Sequence, residues 1–532
     1  MKPYSVKYLS PMSQNEFISL LTEDVRNRIV KDIVSSEIYS VMADTSPDTS
    51  NTDRLVVAVR YVDENNVPNE RILEMKETRN KTGEGQAKEI LDSLKSRLPI
   101  GHDGLVYQSY DYTASMSGTF NGVQQHLQEI VGRNIPYIPC QGHRSNTFNE
   151  HCSKASTFVE MYSLLEELYV FFSRSCKRDS MLQEHMEEIE NALKLRNLSK
   201  TRWVYRSESI EAVWRSFEAI RNALADIAKI DNNSLTRTKA TSLCKKMVKF
   251  EFVFALMFMR FIMRKTKILT VQMQKPELNI LDGLQLIDET VKSLERIRHS
   301  ESELNDQIDA SVEFAKTLGS NPEEEFARKS NKRSSRRLDD NPETLAIMSL
   351  KTNYRKCMIE VLDSLIREYR DNIKSCLQKI KPLAVILQPP LTKPNFEQVE
   401  KVTELFPPSI SVDCMSLYAE LEIFVNFVNE TEKECKTVHD AGNTAFKNKE
   451  IFPNVYKCYK LLFTAPVSVA DIERSFSKMK IVKNYLRSTM KSERLEEIVL
   501  LTVKDLIDTI HLDVVLKSWA ARKNRKLRIK FK

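Results

Sequence analysis

Along the first 175 positions the apolar residues come in short runs punctuated by turn signals. Residues 38–43 (IYSVMA) and 55–62 (LVVAVRYV) are β-rich and separated by the turn-prone SPDTSNTD. Residues 71–75 supply a third strand after the VPNE turn, and 105–108 a fourth. Helical periodicity covers 86–98 and 118–130. Strands first in hairpin order and then alternating with helices predict a mixed sheet covered by helices.

Beyond residue 176 the period changes to that of helices, with long segments at 181–198 and 208–230. The most apolar stretch, 250–263 (FEFVFALMFMRFIM), is interrupted by Glu251 and Arg260 and is shorter than a membrane span, so it predicts a buried core helix. The charged run 321–343 predicts a solvated loop, and the proline-rich 389–408 a connection back towards the first domain. In 461–495, Ile472, Phe476, Met479, Val482 and Leu486 recur at helical spacing and predict a core-facing stripe, with Ser468 and Asp471 as an N-cap pair. Leu495, Ile498, Val499, Val503, Leu506 and Ile510 predict the apolar face of a further helix. The expected organisation is therefore 1–175, 176–455, 456–515 and a basic tail at 516–532. The fold class is α+β and helix-dominated.

Composition sharpens this picture. At 532 residues the chain exceeds one core, and only 11 Gly agrees with dominant helix. Nine cysteines without regular spacing argue against a disulfide framework. The opening MKPYSVKYLSPMSQNEF has no apolar core of a secretory signal, and no run reaches about 18 apolar residues, so no membrane partner is expected. A net charge of +7 permits a nucleic-acid partner. The tail SWAARKNRKLRIKFK reads equally as a solvated end and as a nuclear-import or phosphate-contacting segment.

Three acidic residues stand out by position. Asp44 closes the strand IYSVMA, Asp111 follows the strand LVYQ, and Glu473 lies beside the stripe that begins at Ile472. Carboxylates at element ends suit Mg²⁺, or Mn²⁺, and a metal pair there would serve an in-line displacement at phosphate. Asp48 and Asp53 compete with Asp44 for the first position. Cys140, His143, His151 and Cys152 form C-x₂-H-x₇-H-C, but adjacent His151 and Cys152 are awkward joint ligands, so zinc is disfavoured. In SKTRWVYR, Trp203 sits among Arg202 and Arg206, which taken alone reads first as a packed Trp beside surface Arg residues, though the grouping also suits stacking on a base beside held phosphates.

Several of these motifs resemble the hAT family of DNA transposases. Glu473-Arg474-Ser475-Phe476-Ser477 matches the Glu-Arg-x-Phe-Ser core of the family's C-terminal dimerisation region. YSVMADTSPDTSNTDRLVVAVRY is similar to its first strand pair, and SYDYTASMSGTFNGV to its second acidic motif. The chain resembles the zinc-finger MYM-type and BED-type transposase-derived group in particular. The resemblance implies a ribonuclease-H-like core interrupted by a large all-helical insertion domain. It implies Asp44, Asp111 and Glu473 as catalytic, metal-binding residues, and Trp203, Arg202 and Arg206 as DNA contacts. It also implies a structural motif at Cys140 and His143, and a dimerisation region containing Phe476, Met479, Leu486, Leu495, Ile498 and Val499. The family's Gly-Ala-Ser-Asn-Met reads Tyr112-Thr113-Ala114-Ser115-Met116 here, which stiffens the loop after Asp111. No C-x₂-C…H-x-H pattern precedes Tyr39, so the zinc-binding module common upstream in the family is expected to be lost or truncated. The expected function is that of a nuclear, transposase-derived protein that binds DNA, forms at least a dimer and ancestrally cleaves and joins DNA strands with Mg²⁺. The alternative is a domesticated, non-catalytic interaction or regulatory protein.

Overall fold

The computed structural model describes residues 10–111, 113–141, 156–197, 203–275, 277–334, 349–431, 435–502, 507–508 and 510–523. The chain divides into two compact units, one of residues 1–142, 273–284 and 375–532, the other of 143–272 and 285–374. The division falls at 142/143, 272/273, 284/285 and 374/375, and the proline-rich 389–408 lies inside the first unit.

The first unit is built on β1 (Tyr39–Pro47), β2 (Asp53–Val62), β3 (Pro68–Glu77) and β4 (Leu105–Ser109), in the order β3-β2-β1-β4. β1 and β2 pair antiparallel, as do β2 and β3, and β4 joins β1 in parallel. The four expected strands are all present. β2 is buried on both faces: Leu55, Val57 and Val59 point into a cluster with Val25, Ile29, Ile33, Ile90 and Leu94, while Val56 and Ala58 point into a second with Met42, Ile472, Met479 and Leu495. A strand covered on both sides reads as a near-continuous apolar run, which is what LVVAVRYV is. The helices Pro11–Ser36, Gly83–Arg97 and Val123–Val131 contribute to the first cluster, Ala470–Val482 and Ser492–Leu500 to the second. The helix expected from 118 starts only at Val123, because Gly118 and Gly122 first make a tight turn in which Gly122 N–H donates to Gly118 O (3.1 Å). A Cβ on Gly122 would meet Gly118 backbone at 2.4 Å.

The regular elements among the described residues of the second unit are all helices. Phe250–Gln272 is the expected core helix, with Phe254 stacked on Phe258 (6.1 Å between centroids) and tilted against Tyr354. Three expectations fail here. The helix expected over 181–198 ends at Glu187, and the one over 208–230 is split into Trp203–Arg215 and Phe217–Ile230. A single side chain links both outcomes: the Ser216 hydroxyl donates to Leu193 O (2.8 Å) and accepts from Leu193 N–H (2.9 Å), satisfying a backbone that has left the helix. The predicted loop 321–343 contains the helix Pro322–Ser334. Pro322 opens it, three glutamates complement the positive end of its dipole, and Glu325 docks it by accepting from Phe250 N–H (3.0 Å).

Candidate functional site

The sheet brings the first two acidic positions to one end. In the parallel pair, Met42 is registered with Ser109, so Asp44 and Asp111 each lie two residues past a paired position on neighbouring strands. Met42 belongs to the apolar cluster of Val469, Ile472, Phe476 and Met479, and the period of two places Asp44 on that same face. A relay of hydrogen bonds ties the third element to this end. Cys140 N–H donates to Tyr110 O (3.2 Å), and buried Cys140 Sγ accepts from Val469 N–H (3.3 Å) at the head of the helix Ala470–Val482 that carries Glu473. Gln141 N–H adds a bond to Val467 O (3.0 Å). Cys140 therefore serves the structure of this corner. His143, His151 and Cys152 lie outside the described residues.

The competitors for Asp44 are engaged elsewhere. Asp53 pairs with Lys81 (2.8 Å), and Asp48 is buried between Lys483 (2.6 Å) and Arg54 (2.9 Å). Burial alone would raise the Asp48 carboxyl, but hydrogen bonds from Lys483, Ser50, Arg54 and Thr52 outweigh it and hold it at about 2.

The three residues are half-buried, and the carboxylates of Asp44 and Asp111 have local bonds. Asp44 Oδ1 accepts from Thr45 N–H (2.7 Å), and Asp111 Oδ1 from Thr113 N–H (3.2 Å) and its hydroxyl (2.7 Å). Their oxygens are the right donor type for Mg²⁺ or Mn²⁺. Among the described residues, however, no three His, Cys, Asp or Glu side chains are gathered so as to hold a metal ion. The backbones carrying the three carboxylates converge at this corner.

The capping expectation at this helix is corrected. Its N-cap is Val469, without a side-chain cap, while the Ser468 hydroxyl accepts only from Ala470 N–H (3.4 Å). Asp471 pairs instead with Arg474 (3.1 Å), whose Nη2 also donates to Gln274 O (2.8 Å). Glu70, which sequence reasoning missed, joins Asp471 from β3. It is buried, bonded to fully buried Arg60 (2.7 Å), and Arg60 further donates to Phe463 O (3.0 Å) and Leu278 O (3.1 Å). Burial, and a hydrogen bond with the Asp471 carboxyl, push Glu70 up to about 7 against the pull of Arg60. An isolated Glu in PNERILEM gives no sign of this, since its partner is 401 positions away.

Residues 1–122 match the family model for the RNase-like domain of ZMYM1/FAM200 proteins, and residues 431–507 that for the hAT family C-terminal dimerisation region. The chain carries an hAT-type dimerisation region. Over 513 residues it is 20% identical to the "52 kDa repressor of the inhibitor of the protein kinase" of Mus musculus, covering 93% of this chain and 66% of that protein. For the Homo sapiens protein of the same name the figures are 20% over 512 residues, 93% and 65%. The chain thus spans just under two thirds of the length of these curated relatives.

Within the hAT-type region most of the expected apolar residues face inward. Phe476, Met479, Leu495 and Val499 are buried in the chain's own core, and Ile498 is half-buried. Leu486 departs from the expected core stripe: the helix stops at Val482, a short 3₁₀ turn Tyr485–Arg487 follows, and Leu486 is 77% exposed. Ile481 and Tyr485 beside it are as open. The next helix covers only Ser492–Leu500, with Val503 and Leu506 outside the described residues and Ile510 packed against the sheet cluster. Of the expected DNA contacts, Trp203 opens the helix Trp203–Arg215 and the Arg206 guanidinium lies over the Tyr162 ring (5.3 Å). Arg202 and the Trp203 side chain lie outside what is described. No described helix is long and apolar enough to cross a membrane.

Proposed function

We infer that this chain is a nuclear, transposase-derived regulatory protein that self-associates through its C-terminal region and binds DNA, strand cleavage being ancestral. The observation that carries the reading is the contrast inside the hAT-type region. Its packed residues build one corner, while Ile481 in the last turn of the helix and Tyr485 and Leu486 in the turn after it stand open, on a segment clamped from behind. The Thr49 hydroxyl donates to Lys483 O (2.6 Å), the Ser50 hydroxyl to Ser488 O (3.1 Å) and Arg54 Nη1 to the Ser492 hydroxyl (2.7 Å). A held apolar patch in a region of this family is suited to a second copy of the chain. The word repressor in the name of the mouse and human relatives agrees with regulation.

The departure from the family's motif at Tyr112-Thr113-Ala114-Ser115-Met116, directly after Asp111, supports placing catalysis in the past. The convergence of the backbones of Asp44, Asp111 and Glu473 at one corner favours the rival enzyme reading, in which the three side chains would close on Mg²⁺ only with DNA bound. Incubating the full chain with supercoiled DNA and Mg²⁺ or Mn²⁺ separates the two. No nicking above background is expected from wild type or from Glu473→Gln. Nicking by wild type that Glu473→Gln abolishes would establish the enzyme. For localisation, a fluorescent fusion is expected in the nucleus and, without residues 524–532, in the cytoplasm as well; an unchanged distribution would dismiss the tail as an import signal.

A further inference from the structure

The helix Ser234–Met247 in the second unit has an unusual charge pattern. From Ser234 to Lys249 the sequence carries Arg237, Lys239, Lys245, Lys246 and Lys249 and not one carboxylate. Ala240, Leu243 and Met247 bury one side of the helix. An open cleft is lined by Arg237, Thr238, Thr241, Ser242, Lys245 and Lys246 of this helix, with Ser234 at its start and Lys249 just past its end.

The cations of this stretch are not equivalent. Lys239 and Lys246 both pair with Glu167, at 2.7 and 3.1 Å. Lys245 and Lys249 have no ion-pair partner among the described residues. Arg237 Nη1 donates to the Asp231 and Asn232 carbonyls (2.7 and 3.4 Å), which fixes its guanidinium without neutralising it. Thr238 and Thr241 turn their hydroxyls back to the carbonyls of Ser234 and Arg237 (3.0 and 2.9 Å), so the outward donors are Ser242 and the three cations. Lys245 and Lys249 are four positions apart and of like charge, and the helix itself carries no carboxylate to relieve them. An anion arriving from outside would.

The cations also form a ladder. At about 1.5 Å per residue, Arg237 and Lys245 lie roughly 12 Å apart along the helix, and Lys249 continues the row just past its end at Met247. The helical part alone matches about three to four base-pair steps of roughly 3.4 Å and is too long for one small anion. We propose that this cleft is a DNA-backbone site, in which Arg237, Lys245 and Lys249 contact successive phosphates of a duplex without reading its sequence. The proposal rests on the DNA-binding reading above and gives it a location.

The test is fluorescence anisotropy of full-length protein with two unrelated duplexes across a salt series. The triple variant Arg237→Gln, Lys245→Gln, Lys249→Gln is compared with wild type and with a control, Lys88→Gln, Lys292→Gln, Lys401→Gln, which removes the same charge from paired surface sites. Circular dichroism melting verifies that all three are folded. The cleft variant is expected to bind both duplexes on the order of 100-fold more weakly at about 0.1 M salt, with the slope of log K against log salt lower by about 2–3. The control should stay within a few-fold of wild type. Equal binding by the cleft variant and wild type would overturn this location while leaving DNA binding in place. A wild type that binds neither duplex would overturn both.

Discussion

The helix Ala470–Val482 is anchored at both ends, by opposite kinds of charge chemistry. At its head, Asp471 shares a hydrogen bond with Glu70, two carboxyls in one buried corner with Arg60 beneath them. At its tail, Lys483 reaches into a pocket where Asp48 is matched by two cations. The head stores repulsion that a proton relieves, and its state changes near neutral pH. The tail stores attraction that survives until the solution is strongly acidic. The head lies at the corner where the backbones of Asp44, Asp111 and Glu473 converge, while the tail carries the exposed side chains of Ile481, Tyr485 and Leu486. One helix thus gives the candidate site a titratable support and the candidate interface an inert one.

The largest effect should come from breaking the tail. Asp48→Ala leaves Arg54 and Lys483 buried without a counter-charge, and truncating one member of a buried ion network costs about 3–5 kcal/mol. Urea denaturation should give a loss in that range. Asp48→Asn, which can keep the bonds from Ser50 and Thr52 N–H, should lose less. A loss below about 1 kcal/mol for Asp48→Ala would mean that the pocket does not anchor the helix. The sign with pH also follows. Asp48 is held at about 2, below its ordinary value, so its stabilisation is complete above pH about 4 and fades as pH falls towards 2.

The head should show the reverse slope. The folded-state value of Glu70 is raised, so the folded protein keeps a proton that the unfolded chain has already released above its ordinary pKa of 4.5. Stability from this group is therefore greatest below pH about 4.5 and falls as pH rises to about 7, by on the order of 3 kcal/mol. In Glu70→Gln the amide imitates the protonated acid, so the difference in stability between variant and wild type should grow in favour of the variant across that window. A difference that is flat from pH 4.5 to 8 would show that Glu70 is ionised throughout and that Arg60 dominates the corner.

What the sequence disclosed divides along the same helix. The strands were legible because β-branched runs and the SPDTSNTD turn are local signals, and the apolar stripe Ile472, Phe476, Met479 because helical spacing is local too. The anchors were not. Lys483 finds Asp48 across 435 positions and Asp471 finds Glu70 across 401, and no local pattern marks either pair. The expected Ser468–Asp471 cap failed for a related reason: both side chains have other partners, and Cys140 supplies the bond at the helix head. Among the acidic candidates, position near an element end was legible for Asp111 and Glu473, whereas Asp44 lies inside β1, which continues past it to Pro47 and pairs it with Val56. The direction of the carboxylates was not legible, because the bonds Asp111 makes with Thr113 are set by a loop conformation that composition does not specify.

The last expected effect is the smallest on folding and the most informative about the tail. Ile481 and Leu486 are 74% and 77% exposed, so Ile481→Glu with Leu486→Glu removes little buried surface and should shift monomer stability by no more than about 0.5 kcal/mol. If these side chains meet a second copy, the same pair of changes buries charge at the centre of the contact. Two central apolar positions worth about 2 kcal/mol each would then weaken self-association by a factor on the order of 10² to 10³. Sedimentation equilibrium should therefore find a dimer for wild type and a monomer for the variant, with matching melting curves. Asp48→Asn provides the complement, since a loosened clamp beneath an intact patch should weaken the dimer only in part. A double-glutamate variant that remains dimeric would move the interface off this segment and leave the two ends of the helix distinguished by their protonation alone.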